Sequence, residues 1–300
     1  MSRLQAWKVL PLVLLGTFAV VLAGCEQRAP IGPVANAAEV DSIRKKLESG
    51  GGGSTGGGTA AATETATGWG TLKGTFKLVG APPTMPKINV DKDTEVCGKH
   101  PLFDEAVTVN QDGTLKNVVL FVRTKKPPVH PDYEGSAAAE VVLDNKDCRF
   151  EPHVAVLRST QTLLIKNSDP VGHNTKSESL VNAPFNVLIP SMQNSPQKLA
   201  SEEALPFKVG CSIHPWMGGW VICRSDPYAA ASDSTGSFEL KNLPAGITLE
   251  FQLWQEKLGP NLGSAKAEGI KVDGKGRFKL KLQPDQVVTA SFEIPADALK

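Results

Sequence analysis

The chain has 300 residues, with 32 Lys and Arg against 31 Asp and Glu, a formal charge of +1, five cysteines and five histidines. A near-neutral chain without basic runs is a poor nucleic-acid binder, so that partner class is set aside. What length remains after an N-terminal leader is enough for one large or two small domains.

Arg3 and Lys8 precede an apolar run from Val9 to Val21, which leads into Leu22-Ala23-Gly24-Cys25. A run this short, ending in small residues, predicts a cleaved secretory signal over 1–24 and not a stable span. The last four residues resemble the lipobox of bacterial lipoproteins. That resemblance implies that Cys25 becomes an acylated N-terminus holding the protein on a lipid bilayer of the cell envelope, on the periplasmic face or in the outer membrane. Glu26 stands where Asp is the usual inner-membrane retention signal, which favours the outer membrane. Several acyl chains, at about 0.8 kcal/mol per buried methylene, anchor a protein durably. Loss of 1–24 removes two cations and no acid, taking the charge to −1. Residues 25–67 read as a tether. Ala37 to Glu48 offers a marginal helix, with Val40, Ile43 and Leu47 on one side. Ser49 to Gly68 is a Gly, Ser and Thr spacer with a reach of about 25 Å.

From Trp69 onward the pattern is strand-like. Leu72, Phe76 and Leu78 alternate with polar residues, as do Ile247, Leu249, Phe251 and Leu253, then Phe278, Leu280 and Leu282. Short apolar runs at Val118 to Val122, Val154 to Leu157 and Leu163 to Ile165 lie between breakers such as Asp112-Gly113, Asp273-Gly274 and Pro244-Ala245-Gly246. An all-β protein built of sandwiches is expected. Pro190 to Leu205 is the least strand-like stretch, with room for a short helix near Glu202.

Cys211-Ser-Ile-His-Pro-Trp-Met217 places a thiol, an imidazole and a thioether in one loop, a donor set that suits copper. One loop cannot complete a coordination sphere. Asn167-Ser-Asp-Pro-Val-Gly-His-Asn174 supplies a second histidine, His173. A buried Cys beside a His is the ordinary reading of Cys-x2-His alone. Coincidence with Met217 and an upstream Asn-x-Asp-x3-His argues for a site. Met217 as a packing residue remains an alternative, Trp216 divides evenly between core and surface roles, and Trp220 reads as core.

Cys148-Arg-Phe-Glu-Pro-His-Val154, the Asn167 to Asn174 segment and the Cys211 loop together resemble the cupredoxins, with the short amicyanin-like ligand loop. The resemblance covers roughly 145–224. It implies a Greek-key sandwich with one type 1 copper, held by His173, Cys211 and His214 in the plane and Met217 as a weak axial contact. Asn174 is implied to hydrogen-bond across to the loop, and His214 to face solvent within a docking patch of Pro215 and Trp216. A His2Cys plane suits both copper oxidation states, so little rearrangement accompanies electron transfer. Asp233 to Gly246 and Gly70 to Pro82 resemble carboxypeptidase regulatory-like β-sandwich modules. The expected division is therefore the first strand or strands of an accessory sandwich over 68–94, a copper domain over 95–227 and the rest of the accessory sandwich over 228–300. A serial arrangement stays open.

Three thiols remain: Cys97, Cys148 and Cys223. An oxidising compartment favours a Cys97–Cys148 disulfide and leaves Cys223 as a buried free thiol. A zinc site from Cys97, His100, Cys148 and His153 is the competing reading. The expected function is a membrane-anchored one-electron carrier with redox-protein donor and acceptor, not an enzyme. Copper delivery or storage, and a surface interaction module with a vestigial site, are the alternatives.

Overall fold

The computed structural model describes residues 64–299. Cys25, the leader and the tether as far as residue 63 lie outside the described residues. Among those described, no helix is long and apolar enough to cross a membrane.

Strands β1 (Gly68–Val79) and β2 (Val119–Val122) come first. A central group follows: β3 (Glu140–Lys146), β4 (Arg149–Glu151), β5 (Val154–Arg158), β6 (Thr162–Asn167), β7 (His173–Ser177), β8 (Asn186–Ile189), β9 (Asn194–Lys198), β10 (Phe207–Gly210) and β11 (Gly218–Arg224). Last come β12 (Ala229–Ala231), β13 (Ser237–Ala245), β14 (Thr248–Trp254), β15 (Arg277–Lys281) and β16 (Val287–Pro295).

These strands form four sheets, ordered β13-β1-β16, β12-β2-β14-β15, β5-β11-β10-β7-β8 and β4-β3-β6-β9. The first two enclose one core, containing Leu72, Phe76, Leu120, Phe251, Phe278 and Phe292. The last two enclose a second, with Leu143, Phe150, Leu163, Ile165, Val209 and Val221. The middle sheets also pack on each other, through Val119, Phe121, Val154, Ile222 and Trp254. Period-2 alternation explains the sorting. On β2, Leu120 and Val122 face the first core, while Val119 and Phe121 face the neighbouring sheet. All four residues are buried, which is why this strand reads as an unbroken apolar run.

The sheet pairing changes sandwich between Arg224 and Ala229, in line with the expected boundary at 227/228, but departs from the one at 94/95. Val119–Val122 was placed with the copper domain, yet β2 pairs with β14 from Val119↔Trp254 to Val122↔Phe251. The strands of the site-bearing sandwich run from Glu140 to Arg224, between β2 and β12 of the other. A strand apolar on both faces carries no local mark of which sandwich it joins. Pro190 to Leu205 holds strand β9, paired with β6, and no helix lies near Glu202. Polar Asn194, Gln197 and Lys198 on this sheet-edge strand hid its period.

Gly219 brings β11 against the β4–β5 corner. A Cβ there would lie 3.2 Å from both the His153 carbonyl oxygen and Phe150 Cβ. Close approach lets Trp220 N–H donate to that carbonyl at 2.8 Å and start the parallel β5–β11 pairing.

Candidate metal centre

β10 and β11 pair antiparallel as far as Gly210↔Gly218, so residues 211–217 are the closing loop of a hairpin. Cys211 N–H donates to the Met217 carbonyl (3.2 Å) and Met217 N–H to the His214 carbonyl (2.9 Å), which tightens the loop. β7 lies on the other side of β10, with Lys176 opposite Gly210. Continuing that register carries Asn174 and His173 past the end of β10 and alongside the loop. Asn174 Oδ1 accepts hydrogen bonds from the backbone of Ser212 (2.7 Å) and Ile213 (3.2 Å), pinning the loop to β7.

Donor atoms of His173, Cys211 and His214 all lie within 4.8 Å of one another. The two Nδ1 atoms face each other at 2.9 Å, and Cys211 Sγ lies 3.8 Å from His214 Nδ1. Each imidazole is held from behind: His173 Nε2 contacts Asp169 at 2.9 Å and His214 Nε2 contacts Asp93 at 2.7 Å. Outer hydrogen bonds of this type fix ring orientation and raise ligand basicity. Both histidines are fully buried, and Cys211 and Met217 are nearly so. Met217 packs in the same core cluster as Cys211.

Two Nδ1 atoms in contact need one proton between them. Burial opposes a charge on His173, but the Asp169 hydrogen bond and the Cys211 sulfur prevail and raise it to about 9. Burial, with the charge on His173, holds His214 below its ordinary value against the pull of Asp93. The Asp169 and Cys211 contacts thus favour the shared proton on His173 over His214. Burial also opposes a Cys211 thiolate, yet His173 and the N–H groups of Asn174 (3.5 Å) and His214 (3.4 Å) lower its pKa. A soft sulfur whose ionisation is eased and two inward nitrogens sharing a proton fit a metal cation, which binds deprotonated ligands and releases their protons.

Asp169 does more than orient His173. Its carboxylate also accepts the N–H groups of Asp147 (2.7 Å) and Cys148 (2.9 Å). These two residues form the β3–β4 turn and both have positive φ, 53° and 56°, as a two-residue hairpin of type I′ requires. Asn167 Oδ1 accepts Asp169 N–H at 2.9 Å, so the Asn-x-Asp-x3-His spacing is a chain of supports ending at the imidazole.

Cys97 and Cys148 are joined in a disulfide. The zinc alternative is overturned: the sulfurs bond each other, His100 lies 3.7 Å from Asp147, and His153 lies 2.6 Å from Glu256. Cys223 is a buried free thiol, its pKa raised by burial to about 12. The expectation of a solvent-facing His214 is also corrected. Asp93, which precedes the helical turn Thr94–Cys97, lies against that edge and is 121 residues from His214 in sequence. Pro215 is exposed, but Trp216 is half-buried against Cys97, Leu102 and Cys148 and donates its indole N–H to the Cys148 carbonyl at 3.2 Å. Asp169 stood in the motif unused, and Asp93 had no signal in the sequence.

No protein-family model and no curated protein matches the chain. Among solved structures it is similar to a copper-containing nitrite reductase from Thermus scotoductus SA-01, with 18% identity and a TM-score of 0.26 over 28% of this chain and 22% of that one. It thus spans about a fifth of that protein's length. A purple cupredoxin from Nitrosopumilus maritimus is 22% identical, with a TM-score of 0.24 over 28% of this chain and 98% of that one. A reduced Cu(I) form of an amicyanin variant is 18% identical, with a TM-score of 0.26 over 35% and 98%. At TM-scores of this size the likenesses decide nothing for this chain, and the side-chain geometry stands on its own.

Proposed function

We propose that the chain is a membrane-tethered type 1 copper protein that carries single electrons, with His173, Cys211 and His214 as the main ligands and Met217 as a weak axial contact. The observation that carries this reading is the convergence of the Cys211 sulfur and two Nδ1 atoms within 4.8 Å, each ring held through Nε2. Copper in such a site supplies a one-electron couple with small rearrangement. The chain's own part is to fix the donors before metal arrives: the hairpin closes the loop, Asn174 ties it to β7, and the carboxylates set the rings. Burial of all four side chains favours a carrier over an enzyme, because a substrate would need an approachable donor. Trp216, whose ring centroid lies 5.1 Å from that of His214, offers a path toward exposed Pro215 and a redox partner. Acylated Cys25 would place the protein at the envelope membrane. Copper(II) added to the chain starting at Glu26 should produce the intense visible thiolate-to-copper band, absent in Cys211→Ser. A colourless one-to-one copper complex would favour delivery or storage, and no retained copper a vestigial site.

A further inference from the structure

The supports of the two histidines form a closed circuit. His173 bonds Asp169, Asp169 caps the turn bearing Cys148, Cys148 is joined to Cys97, and the backbone carbonyl of Asp93 accepts the N–H of Cys97 at 2.8 Å. Asp93 Oδ2 then meets His214 Nε2 at 2.7 Å, and the circuit returns through the contact between the two Nδ1 atoms. The Cys97 end has its own small core, in which Cys97, Leu102 and Cys148 pack with Ile88, Val96 and Trp216. Asp93 is therefore delivered to the outer edge of His214 by a disulfide-bonded cover and not by a free loop.

We infer that Asp93 is a positioning residue for the copper-ligating His214: held by the Cys97–Cys148 cover, it fixes the ring with Nδ1 inward, closes its outer edge and biases the site toward Cu(II). This rests on the copper reading. A carboxylate behind a ligand imidazole increases its electron donation, which favours the more highly charged metal state. Asp93 makes this contact while its own side chain is 42% exposed, and its φ of 47° is one that Asn also tolerates, so Asp93→Asn should leave the fold intact.

Two measurements on Asp93→Ala and Asp93→Asn test the inference. In the metal-free chain, nitrogen-15 NMR of His214 should show a protonated, hydrogen-bonded Nε2. That state is retained in Asp93→Asn, whose amide oxygen still accepts, and is lost in Asp93→Ala. Reducing the disulfide of the metal-free parent should reproduce the Asp93→Ala spectrum. In the copper-loaded chain both variants should raise the reduction potential and weaken Cu(II) binding about tenfold, the lower end for loss of such a support. An unchanged His214 spectrum in Asp93→Ala, or an unchanged potential in both variants, overturns the inference. If copper does not bind at all, the functional reading fails, while the metal-free spectra still decide whether Asp93 positions His214.

Discussion

One carboxylate, Asp169, holds His173 Nε2 at 2.9 Å and at the same time caps the left-handed turn that carries Cys148. The proposed ligand His173 and the disulfide thus share a support. In Asp169→Ala the two turn N–H groups and the imidazole lose a nearly buried acceptor. Each unsatisfied buried group costs about 1–3 kcal/mol, so a loss of about 3 kcal/mol is expected in urea unfolding of the metal-free chain. A loss below about 1 kcal/mol would mean that the turn is held by something else.

Reducing Cys97–Cys148 opens a crosslink between residues 51 apart in sequence. Crosslinks of this span contribute about 2–4 kcal/mol, so unfolding of the reduced chain should occur at clearly lower denaturant. Because the bond also anchors the cover over His214, reduction should speed hydrogen exchange at Val96 and Cys97, whose N–H groups donate to Asp93. Unaltered protection there would show that the cover stands without its disulfide.

A second buried cluster adds to the pH dependence that His173 brings. His153 Nε2 lies 2.6 Å from Glu256, with Glu105 at 3.8 Å from Nδ1. Burial opposes charge on His153, but the two carboxylates raise its pKa above 6.5. Burial also opposes charge on Glu256, which His153 nevertheless lowers below 4.5, whereas burial raises Glu105. The His153 contribution is complete below its unfolded value near 6.5 and is lost as pH rises through the higher folded value. Glu105 acts in the same sense from about 4.5 upward. That of Glu256 is present above about 4.5 and is lost as pH falls. Melting temperatures at about pH 5.5 and about 8.5 should therefore fall on the alkaline side, and His153→Gln should flatten the fall. An equal slope in parent and variant would remove His153 from the account.

Met217 separates packing from ligation. Met217→Leu conserves volume in a core position and should cost under about 1.5 kcal/mol, whereas Met217→Ala opens a cavity and should cost about 2–5 kcal/mol. If the thioether also touches copper, Met217→Leu alters the visible spectrum and potential of the loaded chain despite its small stability cost. Identical spectra would leave Met217 a packing residue.

Much of this site was legible because its parts are local. Cys211, His214 and Met217 occupy one hairpin loop, and His173 and Asn174 one strand end, so donor types and spacing survive in the linear order. The all-β class followed from alternation in strands with one face to a core, such as β1 and β15. Where two faces are covered, as in β2, alternation vanishes and the sandwich boundary was misplaced. His214 read as exposed because its cover begins at Asp93, 121 residues away, and contacts at that range leave no local pattern. Asp169 is a different case. It stands four residues before His173 in the Asn-x-Asp-x3-His motif, but its second role, as acceptor for Asp147 and Cys148, depends on the β3–β4 turn, which only the folded chain brings near.

Copper bound through the Cys211 sulfur and cycling one electron would show itself in the visible spectrum of the chain from Glu26 titrated with copper(II). An intense charge-transfer band saturating at one copper per chain, bleached by reductant, restored on reoxidation and absent in Cys211→Ser, is the predicted result. Stoichiometric copper with no such band, or a band that persists in Cys211→Ser, would contradict it.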